Sequence, residues 1–106
     1  MNVVSPNDPD KMKTALTVGP ITVAISADAN YLSYKGGIIK EKDCGDKTNR
    51  FALSVGWGTD DTEGDFYIVK ESFGTTWGES GYARISITEG KGTCGINTLG
   101  SYPTSN

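Results

Sequence analysis

The sequence predicts a mostly β domain of the α+β class with one short N-terminal helix, and three observations predict it. Fourteen of the 106 residues are glycine, about twice the roughly 7% of average usage, which supplies the turns a compact β fold needs. Three segments, Ile21 to Ile25, Phe66 to Lys70 and Tyr82 to Ile87, are strand-sized, rich in β-branched and aromatic residues, and bounded by turn formers. Near the N-terminus, Met12, Ala15 and Leu16 fall at the i, i+3, i+4 spacing of a helix with one apolar face.

The elements follow in order. Pro6, Asn7, Asp8 and Pro9 form an exposed lead-in, with Asp8 placed to cap the helix and Pro9 in its first turn. Gly19 ends that helix, and after Pro20 comes the strand Ile21 to Ile25, buried on at least one face. Asn30 to Tyr34 reads as a single helical turn, Gly36-Gly37 as a break, and Ile38-Ile39 as a short strand. Phe51 to Trp57 alternates loosely and runs into Gly56-Trp57-Gly58. An acidic turn of Asp60, Asp61, Glu63, Gly64 and Asp65 joins it to the strand Phe66 to Lys70, and Tyr82 to Ile87 completes the set. No repeat, low-complexity tract or linker interrupts residues 1–106, so one domain with one modest core is expected.

Composition excludes several functions. There is no histidine, so mechanisms that run through imidazole are absent, and two cysteines alone cannot complete a zinc shell. Ten Lys+Arg against 13 Asp+Glu give a net charge of -3, which argues against nucleic acid or an anionic membrane as partner. The longest apolar run is strand-sized, the polar opening with its prolines is not a secretory signal, and a monomer without cofactor or metal is expected.

Local motifs add little chemistry. The acidic cluster at 60–65 lacks the alternation of a calcium loop and reads as a solvated hairpin turn. Ser72 and Lys70 share a strand face without the support a Ser/Lys dyad needs, and Gly56-Trp57-Gly58 lacks the spacing and lysine of a phosphate loop. Cys44 and Cys94 lie fifty positions apart in Cys-Gly turns. They read either as a disulfide closing a long loop, worth roughly 4 kcal/mol, or as two buried free thiols.

A resemblance rests on six blocks in order and spacing. They are Gly19-Pro20-Ile21-Thr22-Val23-Ala24-Ile25, Tyr34-Lys35-Gly36-Gly37-Ile38, Asp43-Cys44-Gly45, Val55-Gly56-Trp57-Gly58, the run Ser72-Phe73-Gly74-Thr75-Thr76-Trp77-Gly78-Glu79-Ser80-Gly81-Tyr82, and Thr93-Cys94-Gly95-Ile96. Together they resemble the C-terminal half of a papain-like cysteine protease of the cathepsin L type, across essentially the whole chain. The resemblance implies an antiparallel, β-barrel-like lobe that, in such proteases, supplies a catalytic histidine and its orienting asparagine. A separate helical lobe supplies the cysteine nucleophile, which has no counterpart here. It further implies a parent family that is secreted, lysosomal or vacuolar.

Carried over by position, the family's histidine falls on Arg50, its asparagine on Glu71 and its shielding tryptophan on Phe73. Arginine stays protonated and accepts no proton, so the family mechanism fails at proton transfer. Arg50 and Glu71 can instead form a two-point ion pair, worth about 0 to 1 kcal/mol at an exposed face, or they are ordinary surface substitutions. Phe51, where the family has a small residue beside a substrate pocket, is expected to plug that pocket or to pack on Phe73. Ala27 aligns with a second pocket position, or is simply a small residue in a strand-end turn.

Two readings of function follow. In the first the chain is a catalytically inactive half-domain, a pseudoprotease fragment or engineered lobe, serving as scaffold or interaction module. In the second it is one lobe of an endopeptidase that needs a helical partner lobe. The implied partner in either case is a helical lobe or another protein, docked on the former cleft face.

Overall fold

The structure is a computed structural model that describes residues 2–103. Its elements are β1 (Asn2–Val3), α1 (Pro9–Val18), β2 (Ile21–Ile25), α2 (Ala29–Leu32), β3 (Ile38–Ile39), β4 (Arg50–Asp60), β5 (Gly64–Lys70), β6 (Tyr82–Ser86) and β7 (Gly100–Tyr102), with 3-10 turns at Glu41–Asp43 and Thr93–Thr98. The strands form one seven-stranded sheet in the order β1-β7-β2-β4-β5-β6-β3. Every pairing is antiparallel except that of β3 with β6. The sheet does not close: β1 and β3 are its two edges.

α1 starts where its sequence says. The Asp8 carboxylate accepts from the Lys11 backbone N–H at 3.1 Å, satisfying one orphan donor of the first turn, and Pro9 needs no partner there. Met12 and Leu16 are buried and Ala15 packs beside them, so the apolar stripe covers the sheet. Lys13 fixes the crossing: its Nζ lies 2.6 Å from Asp65 Oδ2 and 4.5 Å from the centroid of the Trp57 ring, tying α1 to the β4–β5 hairpin. Behind the helix the core runs through Ile21, Val23 and Ile25 of β2, Tyr67 and Val69 of β5, Ala83 and Ile85 of β6, and Ile96.

The loose alternation of β4 has a cause. Between Ser54 and Gly56 the register with β5 shifts by a bulge, which switches the face that each side chain takes. Ser54 is fully buried there, its Oγ donating toward the Ile68 carbonyl at 3.2 Å. Gly56-Trp57-Gly58 therefore lies within a strand and forms no loop. β1 and β7 were not legible from composition, being two and three residues long, and they exist through pairing with each other and with β2. Gly78, at φ +58°, holds the turn before β6. A Cβ there would meet the Tyr82 carbonyl at 2.6 Å and the Tyr34 ring at 2.9 Å, so no larger residue fits.

Cys44 and Cys94 form a disulfide, with Cα atoms 5.2 Å apart, and free thiols are therefore excluded. The bridge anchors the 40–49 segment, which has little regular structure, to the 3-10 turn beneath β2.

Candidate functional site

The site forms where β2 and β4 pair at their ends. Arg50 opens β4 opposite Ile25, and Glu71 follows the last residue of β5, its N–H donating to the Gly81 carbonyl at 3.1 Å. The register brings the two side chains together. Arg50 Nε donates to both Glu71 carboxylate oxygens at 3.2 and 3.0 Å, and Nη2 reaches Glu71 Oε2 at 2.9 Å and Ser72 Oγ at 2.8 Å.

The pair is not at an exposed face, contrary to the sequence-based expectation. The Glu71 side chain is 1% exposed and the Arg50 side chain 30%. The reason is Tyr31, which sequence reasoning passed over. It lies on α2, capped by Asp28, is itself fully buried, and donates its hydroxyl to Glu71 Oε1 at 2.6 Å. Burial holds the Tyr31 phenol well above its ordinary range, with the hydrogen bond and negative charge of Glu71 adding to the effect. Tyr31 is thus a neutral donor, and the carboxylate accepts from Tyr31, Arg50 and, at 3.3 Å, the Ser72 backbone N–H. A buried carboxylate so supplied is bound firmly but has little capacity left to accept a further proton donor.

Aromatic rings close the cluster on one side. The Arg50 guanidinium carbon sits 4.2 Å over the Phe73 ring, and Phe73 meets Trp77 edge-on at 5.2 Å between centroids. Trp77 also contacts Tyr31 and Tyr34, and its indole N–H donates to the carbonyls of Tyr31 and Leu32. Arg50, Glu71 and Phe73 are therefore one connected unit.

Phe51 does not pack on Phe73: it is 69% exposed and lines an open depression beside Arg50. Arg50 takes the Phe73 face instead, and the two-residue period of the strand turns Phe51 to the opposite, outer side. Ala27 is half-buried and held by Asn49, whose side-chain amide accepts from Ala27 N–H at 2.8 Å and donates to its carbonyl at 3.3 Å, one residue before Arg50. Ser72 is bound to Arg50 and makes no dyad with Lys70. In the acidic turn Asp60 accepts from the N–H groups of Thr62 and Glu63, and Asp65 is engaged by Lys13 and Thr59. Among the described residues no group of acidic or cysteine side chains is arranged to hold a metal.

On the outer face, Leu53 of β4 pairs with Lys70 of β5, which pairs with Tyr82 of β6. Leu53 and Tyr82 are each 37% exposed, so with Phe51 they leave an apolar strip open to solvent.

Residues 1–104 match the papain family of cysteine proteases. The chain belongs to that family. Cathepsin L of Sarcophaga peregrina is 42% identical over 100 residues, covering 92% of this chain and 29% of the fly protein. Oryzain beta chain of Oryza sativa subsp. japonica is 39% identical over 106 residues, with 95% of this chain covered and 22% of the rice protein. The bromelain protease of Ananas comosus, solved with the E64 inhibitor, superposes with a TM-score of 0.91 at 37% identity over 98% of this chain and 49% of bromelain. The chain thus spans less than a third of these curated relatives and about half of the bromelain structure. The papain-family match agrees with the predicted mostly β architecture and with a C-terminal lobe, although the sheet is open at both edges.

Proposed function

We propose that this papain-family lobe is non-proteolytic and serves as a folded interaction module. One observation carries the reading: the guanidinium of Arg50, at the position the resemblance gives to the general base, is locked to Glu71 and Ser72. A guanidinium has donors only and stays charged at any working pH, so it takes no proton from a thiol. Glu71 stands where the orienting asparagine is expected and is turned instead to Tyr31 and Arg50. Both cysteines are consumed by the disulfide, so this chain offers no thiol nucleophile.

The module acts as a monomer through the face that bears Phe51, Leu53 and Tyr82, and its partner is a helical lobe or another protein. The disulfide suits a secreted, lysosomal or vacuolar setting, as the family resemblance implies. The alternative, one lobe of an endopeptidase completed by a helical lobe, draws on the coverage of only half of bromelain.

The two readings separate in one assay. The chain is mixed with the helical lobe of the Sarcophaga cathepsin L and offered a fluorogenic peptide. No cysteine-dependent turnover is expected from this chain, and turnover would overturn the non-proteolytic reading. The double variant Arg50→His with Glu71→Asn is expected to restore turnover.

A further inference from the structure

We propose that the depression beside Arg50 is a binding site for the C-terminal carboxylate of a peptide with apolar last residues. The depression measures about 380 Å³, and its lining includes Arg50, Phe51, Leu53, Lys70, Glu71 and Ser72. It rests on the reading that Arg50 is not a proton acceptor, because a permanent cation is what the site requires.

Arg50 is prepared for an anion. Its Nε and Nη2 are committed to Glu71 and Ser72, while Nη1 has no hydrogen-bond partner among the described residues. The Phe73 ring covers one face of the guanidinium, so the side chain is held in one place before a ligand arrives. Such preorganisation lowers the cost of binding, and the covered face strengthens a charge-assisted hydrogen bond from the free nitrogen. Lys70 is exposed and takes part in no ion pair among the described residues. With Glu71 offset by Arg50, the lining keeps one net positive charge, in a chain whose total is -3.

Charge complementarity selects the occupant. A second copy would bring two net-negative chains together and set Lys70 against Lys70, so self-pairing is disfavoured. An apolar segment carrying a carboxylate satisfies both the cations and the exposed Phe51 and Leu53 side chains. The volume lies at the small end of the roughly 300–1,000 Å³ typical of ligand sites.

The test uses the 106-residue chain and a fluorescein-labelled peptide ending Ser-Leu-Phe, as the free acid and as the C-terminal amide, in an anisotropy titration. The free acid is expected to bind saturably and the amide about tenfold or more weaker, the effect of removing one charge-assisted contact. Lys70→Ala and Phe51→Ser are each expected to weaken the free acid severalfold at unchanged melting temperature, because both side chains are exposed. Raising salt should weaken the free acid and leave the amide unmoved. Equal binding of acid and amide, no effect of either variant, or concentration-dependent dimerisation that Phe51→Ser abolishes would each overturn the proposal. Mass spectrometry of the recovered peptide keeps the two readings apart. An intact, unbound peptide refutes this site alone, whereas a cleaved one refutes the non-proteolytic reading.

Discussion

Replacing Arg50 by methionine leaves the Glu71 carboxylate, 1% exposed, with only Tyr31 and the Ser72 N–H to hold it. Removing one partner of a fully buried ion pair costs about 3–5 kcal/mol. Here the Arg50 side chain is 30% exposed, so some water reaches the vacated space and the expected loss is smaller, about 2–3 kcal/mol. The contact between the guanidinium and Phe73 is part of that figure, at about 0.5–1 kcal/mol. In a domain of this size the loss lowers the melting temperature by roughly 10–20 °C. Glu71→Gln is expected to cost less, about 1–2 kcal/mol, because the freed guanidinium can hydrate while the amide still accepts from Tyr31. The double variant should then lose at least about 1 kcal/mol less than the sum of the two. Urea unfolding of the four proteins at neutral pH measures this coupling. A cost below about 0.5 kcal/mol, or strict additivity, would refute the view of the pair as a buried, interdependent unit.

Tyr31→Phe removes the 2.6 Å bond to Glu71 without changing the ring packing on Trp77. It should cost about 1.5–3 kcal/mol by urea unfolding, and that cost should fall sharply in a Glu71→Gln background. Reduction of the disulfide, or Cys44→Ser with Cys94→Ser, opens a loop of 50 residues and should lower stability by roughly 4 kcal/mol, read by unfolding with and without dithiothreitol. Glu79 is held below its ordinary 4.5 first by the hydrogen bond from Arg84 and further by the Gly37 N–H. Its folded value being depressed, the stability it contributes is present above about pH 4.5 and is lost as pH falls through the folded value. Arg84→Met should therefore flatten the acid limb of a stability-against-pH curve, and an unchanged limb would contradict that assignment.

Much of the fold was legible because it is local. The cap at Asp8, the stripe of Met12, Ala15 and Leu16, and the β-branched run from Ile21 to Ile25 each specify their element within a few residues, and the structure keeps all three. The two short strands β1 and β7 were not legible, because two or three residues carry no period and their pairing partners are distant in sequence.

The sequence by itself determined that no imidazole acts in this chain, that a guanidinium and a carboxylate stand at positions 50 and 71, and that the two cysteines were candidates for a long loop closure. Only the tertiary structure decided how those charges are treated. It brought Tyr31 from 40 residues away to the Glu71 carboxylate, slid Phe73 under Arg50 and turned Phe51 out to solvent. Burial and hydrogen-bond partnership are properties of the space between elements, and residues adjacent in that space are far apart in the chain. The same two residue types that would be a weak surface pair in isolation become a buried, mutually dependent pair once the sheet and α2 close over them.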